Sequence, residues 1–93
     1  MRRYELILIF PLEEDLHKAG RDQTLNDLTK HSVLIEKTDE IGDKDFAYEI
    51  KKRKRGRYVL LTIQVDPVYI VPLEHSFKLN VNLLKYFFIR IEG

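Results

Sequence analysis

The most concentrated chemistry in this sequence is a run of positive charge. Six of the seven residues from Lys51 to Arg57 (KKRKRGR) are lysine or arginine, in a chain of 93 residues whose formal net charge is only +1. Lysine and arginine bind phosphate groups through charge-assisted hydrogen bonds. Three interpretations are open: a phosphate-binding surface for a nucleic acid, a nuclear-import signal, and a solvated turn.

Phosphate binding is the best of the three interpretations. Six like charges repel one another when no anion is near, which argues against a plain solvated turn. An import signal normally lies in a flexible tail, whereas this run lies between two β-rich stretches. We therefore expect nucleic-acid phosphates to contact the six cations of the run, which are Lys51, Lys52, Arg53, Lys54, Arg55 and Arg57.

Residues that could catalyse a reaction or hold a metal ion do not cluster in the sequence. His17, His31 and His75 fall in different predicted elements, and the chain has no cysteine. Ser32 and Ser76 stand in no G-x-S-x-G sequence, and the four glycines form no phosphate-binding loop. We therefore predict no enzyme activity, no metal site, no cofactor and no small-molecule substrate.

The composition is that of one small globular domain, residues 1–93. Hydrophobic residues make up 44% of the chain and charged residues 33%, which argues against disorder. The apolar run near the N-terminus, LILIF, has five residues and ends at Pro11, so it is too short for a signal peptide or a membrane span. We expect a soluble, cytoplasmic protein with no membrane contact.

The first two predicted elements are a strand and a helix. The stretch RRYELILIF alternates, which predicts a strand whose core face is formed by Tyr4, Leu6, Leu8 and Phe10. Pro11 and the acidic residues 13–15 then predict a helix start, because negative charge suits the positive end of the helix dipole. We expect this helix to end near Ser32 and to bury its apolar positions, which are Leu16, Ala19, Leu25 and Leu28.

The rest of the chain predicts three more strands and a second helix. The stretches VLIEKTDEI and FAYEI predict one strand with a bulge or bend at Gly42, and the basic run would connect it, around Gly56, to a third strand, RYVLLTIQV. Asp66-Pro67 predicts a helix that starts either there or near Pro72. Its buried stripe would be Ile70, Leu73 and Phe77, and LLKYFFIRI predicts a last strand.

The order strand–helix–strand–strand–helix–strand defines the fold class. It predicts an α+β, ferredoxin-like split βαβ fold (βαββαβ), with a four-stranded antiparallel sheet and both helices on one face. The other face of the sheet would lie open. This fold suggests the RNA-recognition motif, but that family stacks bases on aromatic residues of its third strand. Here Arg57 stands where an aromatic residue is needed, so base stacking on this strand is not expected.

Three stretches resemble the bacterial ribosomal small-subunit protein S6 family: MRRYELILIF, IEKTDEIGDKDFAYEI and GRYVLLTIQV. That family begins M-R-x-Y-E before an apolar strand, then has G-x-R/K-x-L-A-Y-x-I, and then a charged loop leading to G-x-Y and a β-rich strand. The matching residues here are Met1, Arg2, Tyr4, Glu5, Gly42, Lys44, Phe46, Ala47, Tyr48, Ile50, Gly56 and Tyr58, with Asn82 and Lys85 near the last strand.

The resemblance implies an RNA-binding structural component of the small ribosomal subunit. It implies binding to small-subunit ribosomal RNA as a heterodimer with ribosomal protein S18. Arg2, Arg3 and Lys85 would join the basic run as phosphate contacts, which position a protein on RNA without selecting bases. Phe46, Tyr48 and Ile50, together with the open sheet face, are the candidates for contacting the protein partner.

Two acidic residues depart from the family's pattern. Asp43 and Asp45 occupy places where the family often has basic residues, which argues against an RNA contact there. The alternative function is a ferredoxin-like protein–protein interaction or dimerisation module without an RNA role, since such domains commonly associate through the sheet.

Overall fold

A computed structural model describes residues 1–91 and confirms the predicted fold, a four-stranded antiparallel sheet with two helices on one face. The elements are β1 (Arg2–Phe10), α1 (Glu14–Lys30), β2 (Leu34–Ile50), β3 (Arg53–Val65), a 3₁₀ turn (Pro67–Tyr69), α2 (Ile70–Leu79) and β4 (Lys85–Arg90). The sheet order is β2-β3-β1-β4, so β1 and β3 are central and β2 and β4 are the edges. This is the ferredoxin-like βαββαβ order.

The core lies between the helices and one face of the sheet. The alternation predicted for β1 is confirmed, because Leu6, Leu8 and Phe10 are buried and Tyr4 packs against them. The buried core residues from the other elements are Val59, Leu61, Ile63 and Val65 of β3, Leu28 of α1, Leu73 and Phe77 of α2, and Leu83 of the loop that follows. Burial of these side chains is the main force that holds the two layers together.

A short turn precedes the second α-helix, so the helix begins after Pro67 rather than at it. The Asp66 carboxylate accepts a hydrogen bond from the backbone N–H of Val68, so Asp66 caps the 3₁₀ turn that starts at Pro67. The α-helix proper begins at Ile70, which places Pro72 in its first turn. A proline there removes no internal hydrogen bond, because the first four N–H groups of a helix have no intrahelical partner.

The buried face of α1 differs from the predicted one. Only Leu28 of the four predicted apolar positions is fully buried, while Ala19 and Leu25 are exposed. The face that meets the rest of the molecule is small and polar instead, and consists of His17, Gly20, Thr24, Asp27 and Leu28. The apolar pattern was a poor guide because this helix packs partly against backbone, which only small residues allow.

Gly20 and Asn80 form the contact between α1 and the loop after α2. Asn80 is fully buried, and its side-chain amide donates to the Gly20 carbonyl at 3.0 Å and to the Thr24 hydroxyl at 3.2 Å. Its side-chain oxygen accepts from the backbone N–H of Asn82. A Cβ atom at Gly20 would overlap the Asn82 carbonyl oxygen. The glycine therefore permits an approach that any side chain would block.

The connection between β2 and β3 is shorter than predicted. It consists of Lys51 and Lys52 alone, with Ile50 paired directly to Arg53. Both lysines have positive φ, 50° and 65°, as in a two-residue type I′ hairpin turn. Such turns prefer asparagine and glycine, so a Lys-Lys pair was not recognised as the turn in the sequence.

Gly56 is not part of the turn, and the predicted connection around it was wrong. It lies within β3 opposite Lys44. A Cβ atom there would come within 2.6 Å of Cζ of Phe46 and 2.7 Å of Cγ2 of Ile9. The predicted irregularity at Gly42 is confirmed, because the pairing of β2 with β3 shifts there and its φ is 106°.

We expect Gly20→Ala to destabilise the protein, although alanine favours an isolated helix by about 1 kcal/mol. The added methyl group must push the Asn82 backbone away, and overpacking of this kind costs about 1–3 kcal/mol. Urea unfolding of the variant measures the change, with Asp22→Ala on the exposed side of α1 as the control. A Gly20→Ala protein that is more stable than wild type would contradict the proposed contact.

Candidate nucleic-acid interface

The basic run is divided between a turn and a strand. Lys51 and Lys52 form the hairpin turn, and the following residues lie on β3. Successive side chains of a strand point to opposite faces, so Arg53, Arg55 and Arg57 lie on the helix-covered side with Val59 and Leu61. Lys54 and Gly56 lie on the open side. Strand alternation thus separates the arginines from the lysine that follows the turn.

The arginines on the helix side are paired with carboxylates of this same chain. Arg53 Nη1 lies 2.8 Å from Oε1 of Glu13, just before α1. Arg55 Nε lies 2.6 Å from Oδ1 of its cross-strand partner Asp45. Both pairs are partly exposed, so each contributes at most about 1 kcal/mol to stability. Their effect is to offset the positive charge on this side of the strand.

Arg57 has two acidic partners. Its Nη1 donates to Glu14 and its Nε to Asp43, both at 3.2 Å. The hydrogen bond to Asp43, and to a smaller extent that to Glu14, holds the pKa of Arg57 above its ordinary value. Asp43 and Asp45, the two acids that depart from the family's pattern, therefore each neutralise an arginine that faces them on β3.

The lysines at the end of the hairpin have no acidic partner among residues 1–91. Lys52 and Lys54 are exposed and form no ion pair there, and Lys51 donates to the Leu83 carbonyl at 3.1 Å. We name these three residues, Lys51, Lys52 and Lys54, the lysine tip. The positive charge that remains available to an external phosphate is concentrated in this tip.

The other predicted phosphate contacts are at both ends of the sheet. Lys85 pairs with Ile9 on β1 and lies at the hairpin end, with its ammonium 5.3 Å from the Phe87 ring centroid. Arg2 and Arg3 lie at the other end of β1. Arg3 is about 20 Å from Ile9 along the strand, at about 3.3 Å per residue. The structure therefore does not bring all the predicted cations together.

Arg3 is also engaged within the chain. Its guanidinium donates two hydrogen bonds to Glu36, at 3.0 and 3.1 Å, and Gln64 donates to the same carboxylate at 2.7 Å. The hydrogen bonds from Arg3, and to a smaller extent the one from Gln64, lower the pKa of Glu36. Three strands are tied together by this row on the open face.

The predicted partner residues lie on an irregular part of β2. Residues 46–49 oppose the single residue Lys54, because pairing jumps from Asp45–Arg55 to Ile50–Arg53. Tyr48 projects from this bulge and is 86% exposed, whereas Phe46 and Ile50 are partly buried. Phe46 lies against Gly56 and Tyr58, so it has a structural role whatever else it contacts.

The open sheet face is partly apolar. Phe87 and Leu60 flank Ile7 in register on the two neighbouring strands, and Ile89 lies opposite Glu5. Phe87 and Ile89 are 43% and 46% exposed. Near the hairpin the same face is covered, because Phe46 and Tyr58 fold over it and Ile9 is only 2% exposed. An apolar patch therefore remains in the middle of the open face.

Within the part of the chain that the structure describes, two kinds of site are absent. No three His, Asp or Glu residues are grouped so that they could hold a metal ion. No helix there is long and apolar enough to cross a membrane.

The match to a known family decides the identity. A family model for ribosomal protein S6 matches residues 3–90. The chain belongs to the ribosomal protein S6 family. It is therefore a structural component of the small ribosomal subunit, as the resemblance implied. Members of this family are ribosomal proteins of the cytoplasm and not enzymes.

Relatives cover the whole chain. Small ribosomal subunit protein bS6 of Treponema denticola is 47% identical over 92 residues, which span 99% of both chains. The bS6 protein of Treponema pallidum is 37% identical over 93 residues and all of both chains. The crystal structure of 30S ribosomal protein S6 from Thermotoga maritima has a TM-score of 0.84 at 22% identity, covering 97% of this chain and 87% of that one, which supports the fold.

His17 is a buried titratable group directly behind the arginine side of the hairpin. It is 7% exposed, packs edge-on against Phe10 with ring centroids 5.1 Å apart, and its Nδ1 has no hydrogen-bond partner among the described residues. Burial, and then the positive charges of Arg57 and Arg21, lower the pKa of His17. Glu14 and Glu40 oppose this shift without cancelling it.

We expect stability to decrease on acidification because of His17. Between its lowered folded-state pKa and the ordinary value of 6.5, the unfolded chain binds more protons than the folded protein. The free energy of unfolding therefore rises with pH across this window and levels off above it. Urea unfolding from about pH 5 to about pH 8 measures the dependence, which His17→Gln should flatten.

His75→Gln is the matched control, because His75 is an exposed histidine on α2. This variant should keep the wild-type pH dependence. If His17→Gln and wild type show the same dependence, His17 is not the group responsible.

Proposed function

We propose that this chain binds small-subunit ribosomal RNA through the lysine tip and does so together with ribosomal protein S18. The observation that supports RNA binding most directly is the separation of charge along the hairpin. The arginines face acids of the same chain, while Lys51, Lys52 and Lys54 project at its end without an acidic partner among residues 1–91. A compact cationic tip suits the backbone phosphates of folded RNA.

The paired arginines remain candidates for weaker contacts. A guanidinium has five N–H donors, and a carboxylate uses only one or two of them. Arg55 keeps 52% of its side chain exposed, so it can reach a phosphate while it stays paired with Asp45. Arg53 and Arg57 are more enclosed and act mainly by holding the turn end of β3 against the start of α1.

Arg2, Arg3 and Lys85 would extend the RNA contact beyond the tip. Lys85 lies at the hairpin end and would meet the same RNA segment as the lysine tip. Arg2 and Arg3 lie at the far end of β1, so they would need a second RNA segment. This arrangement suits a folded RNA, whose separate strands can approach one protein from two sides.

The partner-binding surface that we propose for S18 combines Tyr48 and Ile50 with the apolar patch of the open sheet face. A tyrosine that is 86% exposed offers a large amphipathic surface of the type enriched at interfaces. Ile7, Phe87 and Ile89 supply apolar area nearby on the sheet. Phe46 supports this surface from below by its packing on Gly56 and Tyr58.

The double variant Lys51→Asn, Lys52→Gly separates the RNA contact from folding. Asparagine and glycine adopt the positive φ of a type I′ turn more readily than lysine, so the hairpin should gain about 1 kcal/mol. The loss of two cations should make the dependence of log affinity on log salt shallower by about 1.4–1.8. Filter binding to the central domain of small-subunit ribosomal RNA with S18, over a salt series, measures this.

Lys18→Asn, Lys30→Asn on α1 removes the same charge and is the control, with an expected slope close to that of wild type. An unchanged slope in the turn variant would refute the role of the lysine tip. A wild-type protein that forms a salt-insensitive homodimer and does not bind the RNA would instead favour a dimerisation module.

Tyr48→Ser should weaken association with S18 without lowering the melting temperature, because Tyr48 has few contacts within its own chain. We expect a loss of more than about 1 kcal/mol of binding free energy, as for a central interface aromatic. Isothermal titration of S18 measures it. Val71→Ser, which alters a similarly exposed apolar residue on α2, is the control, and equal effects of both variants would exclude Tyr48 from the interface.

A further inference from the structure

A groove on the helix side of the molecule continues from the lysine tip. It has a volume of about 450 Å³ and lies between the turn, the last part of α2 and the start of β4. Its floor is apolar and buried, formed by Phe77, Leu83 and Leu84. Its rim consists of Lys51, Glu74, Lys78, Lys85 and Tyr86. The volume falls within the range of about 300–1,000 Å³ that is typical of ligand sites.

The charge of this rim is positive. Lys51 and Lys78 stand against Glu74, whereas the Lys85 ammonium lies 5.3 Å from the centroid of the Phe87 ring on the open face. Two positive charges and one negative charge therefore face the groove. Lys51 is already held at the edge of the groove by its hydrogen bond to the Leu83 carbonyl at 3.1 Å. Glu74 accepts a hydrogen bond from the Tyr86 hydroxyl at 3.2 Å, which holds its carboxylate on the opposite wall.

We propose that this groove binds a backbone phosphate of RNA between Lys51 and Lys78, a contact that rests on the proposed RNA-binding function. RNA is favoured over a small free anion because the groove is open and shares Lys51 with the lysine tip, so the two form one continuous positive track. Lys78 is the residue that this assignment adds. In the sequence it is an ordinary lysine in the last turn of a helix, where a positive charge suits the dipole.

Two variants of the groove should act in opposite directions. Lys78→Glu should weaken RNA binding and make the slope of log affinity against log salt shallower by about 1 or more, since one phosphate contact is lost. Glu74→Gln should strengthen binding, because it removes an acidic charge from the rim and keeps an acceptor for Tyr86. A purely structural disturbance would weaken binding in both variants.

Lys30→Glu is the matched control. Lys30 is the basic residue in the last turn of α1, as Lys78 is in the last turn of α2, but it lies far from the groove. The same charge reversal there should change the slope less than Lys78→Glu does. Melting temperatures of all three variants should stay near that of wild type, because these side chains are not buried.

The experiment is the salt series with the same RNA and S18, together with an NMR titration of the protein with inorganic phosphate. If wild type binds the RNA and Lys78→Glu binds it equally well at every salt concentration, the groove contact is refuted while the lysine tip stands. If Lys78→Glu alters only the binding of inorganic phosphate, the groove is a small-anion site and the RNA assignment is wrong. If wild type does not bind the RNA, the proposed function itself fails.

Discussion

The two-residue turn at Lys51 and Lys52 sets the arrangement of charge on which the proposed RNA contact depends. Because it pairs Ile50 directly with Arg53, it determines which face of β3 every later residue occupies. A shift by one residue would turn the three arginines to the open face and the lysine to the helix side. With the observed register, Arg53 and Arg57 meet acids at the start of α1.

The acids on α1 and β2 neutralise part of the basic run and leave the rest available. Glu13 and Glu14 favour the helix N-terminus through the dipole, and the same carboxylates accept hydrogen bonds from the hairpin. The electrostatic repulsion within the run is therefore reduced, since three of its six cations are paired with a carboxylate. The exposed lysines extend the positive surface toward the groove beside α2, so the cationic region is broader than the run in the sequence.

A second constraint holds the helices in place. The buried amide of Asn80 is bonded to Gly20 and Thr24, which ties the loop before β4 to the middle of α1. This loop also supplies Leu83 and Leu84 to the core and to the floor of the groove. A helix–loop contact built from glycine and asparagine thus positions a surface that lies at the hairpin end of the sheet.

Much of this molecule follows from its sequence. The alternation in β1 and β3, the Asp66-Pro67 cap and the stripe of α2 determined the order of elements and most of the core, because these depend on local periodicity and on burial. The family's motifs identified the family, and the run of six cations predicted the surface that we propose for RNA. Each of these features depends on the types of residues that lie close together in the sequence.

The pairing of individual charges was decided only by the tertiary structure. The partners of Arg53 and Arg57, Glu13 and Glu14 at the start of α1, are 40 and 43 residues away, and no local pattern relates them. The turn was missed because lysine has no preference for positive φ. The buried face of α1 was missed because Gly20 packs against the backbone of the loop after α2, and Asn80 of that loop bonds to the Gly20 carbonyl. The position of Lys78 next to the turn was also decided by the tertiary structure, because the fold brings the end of α2 beside a residue, Lys51, that lies 27 positions earlier in the chain.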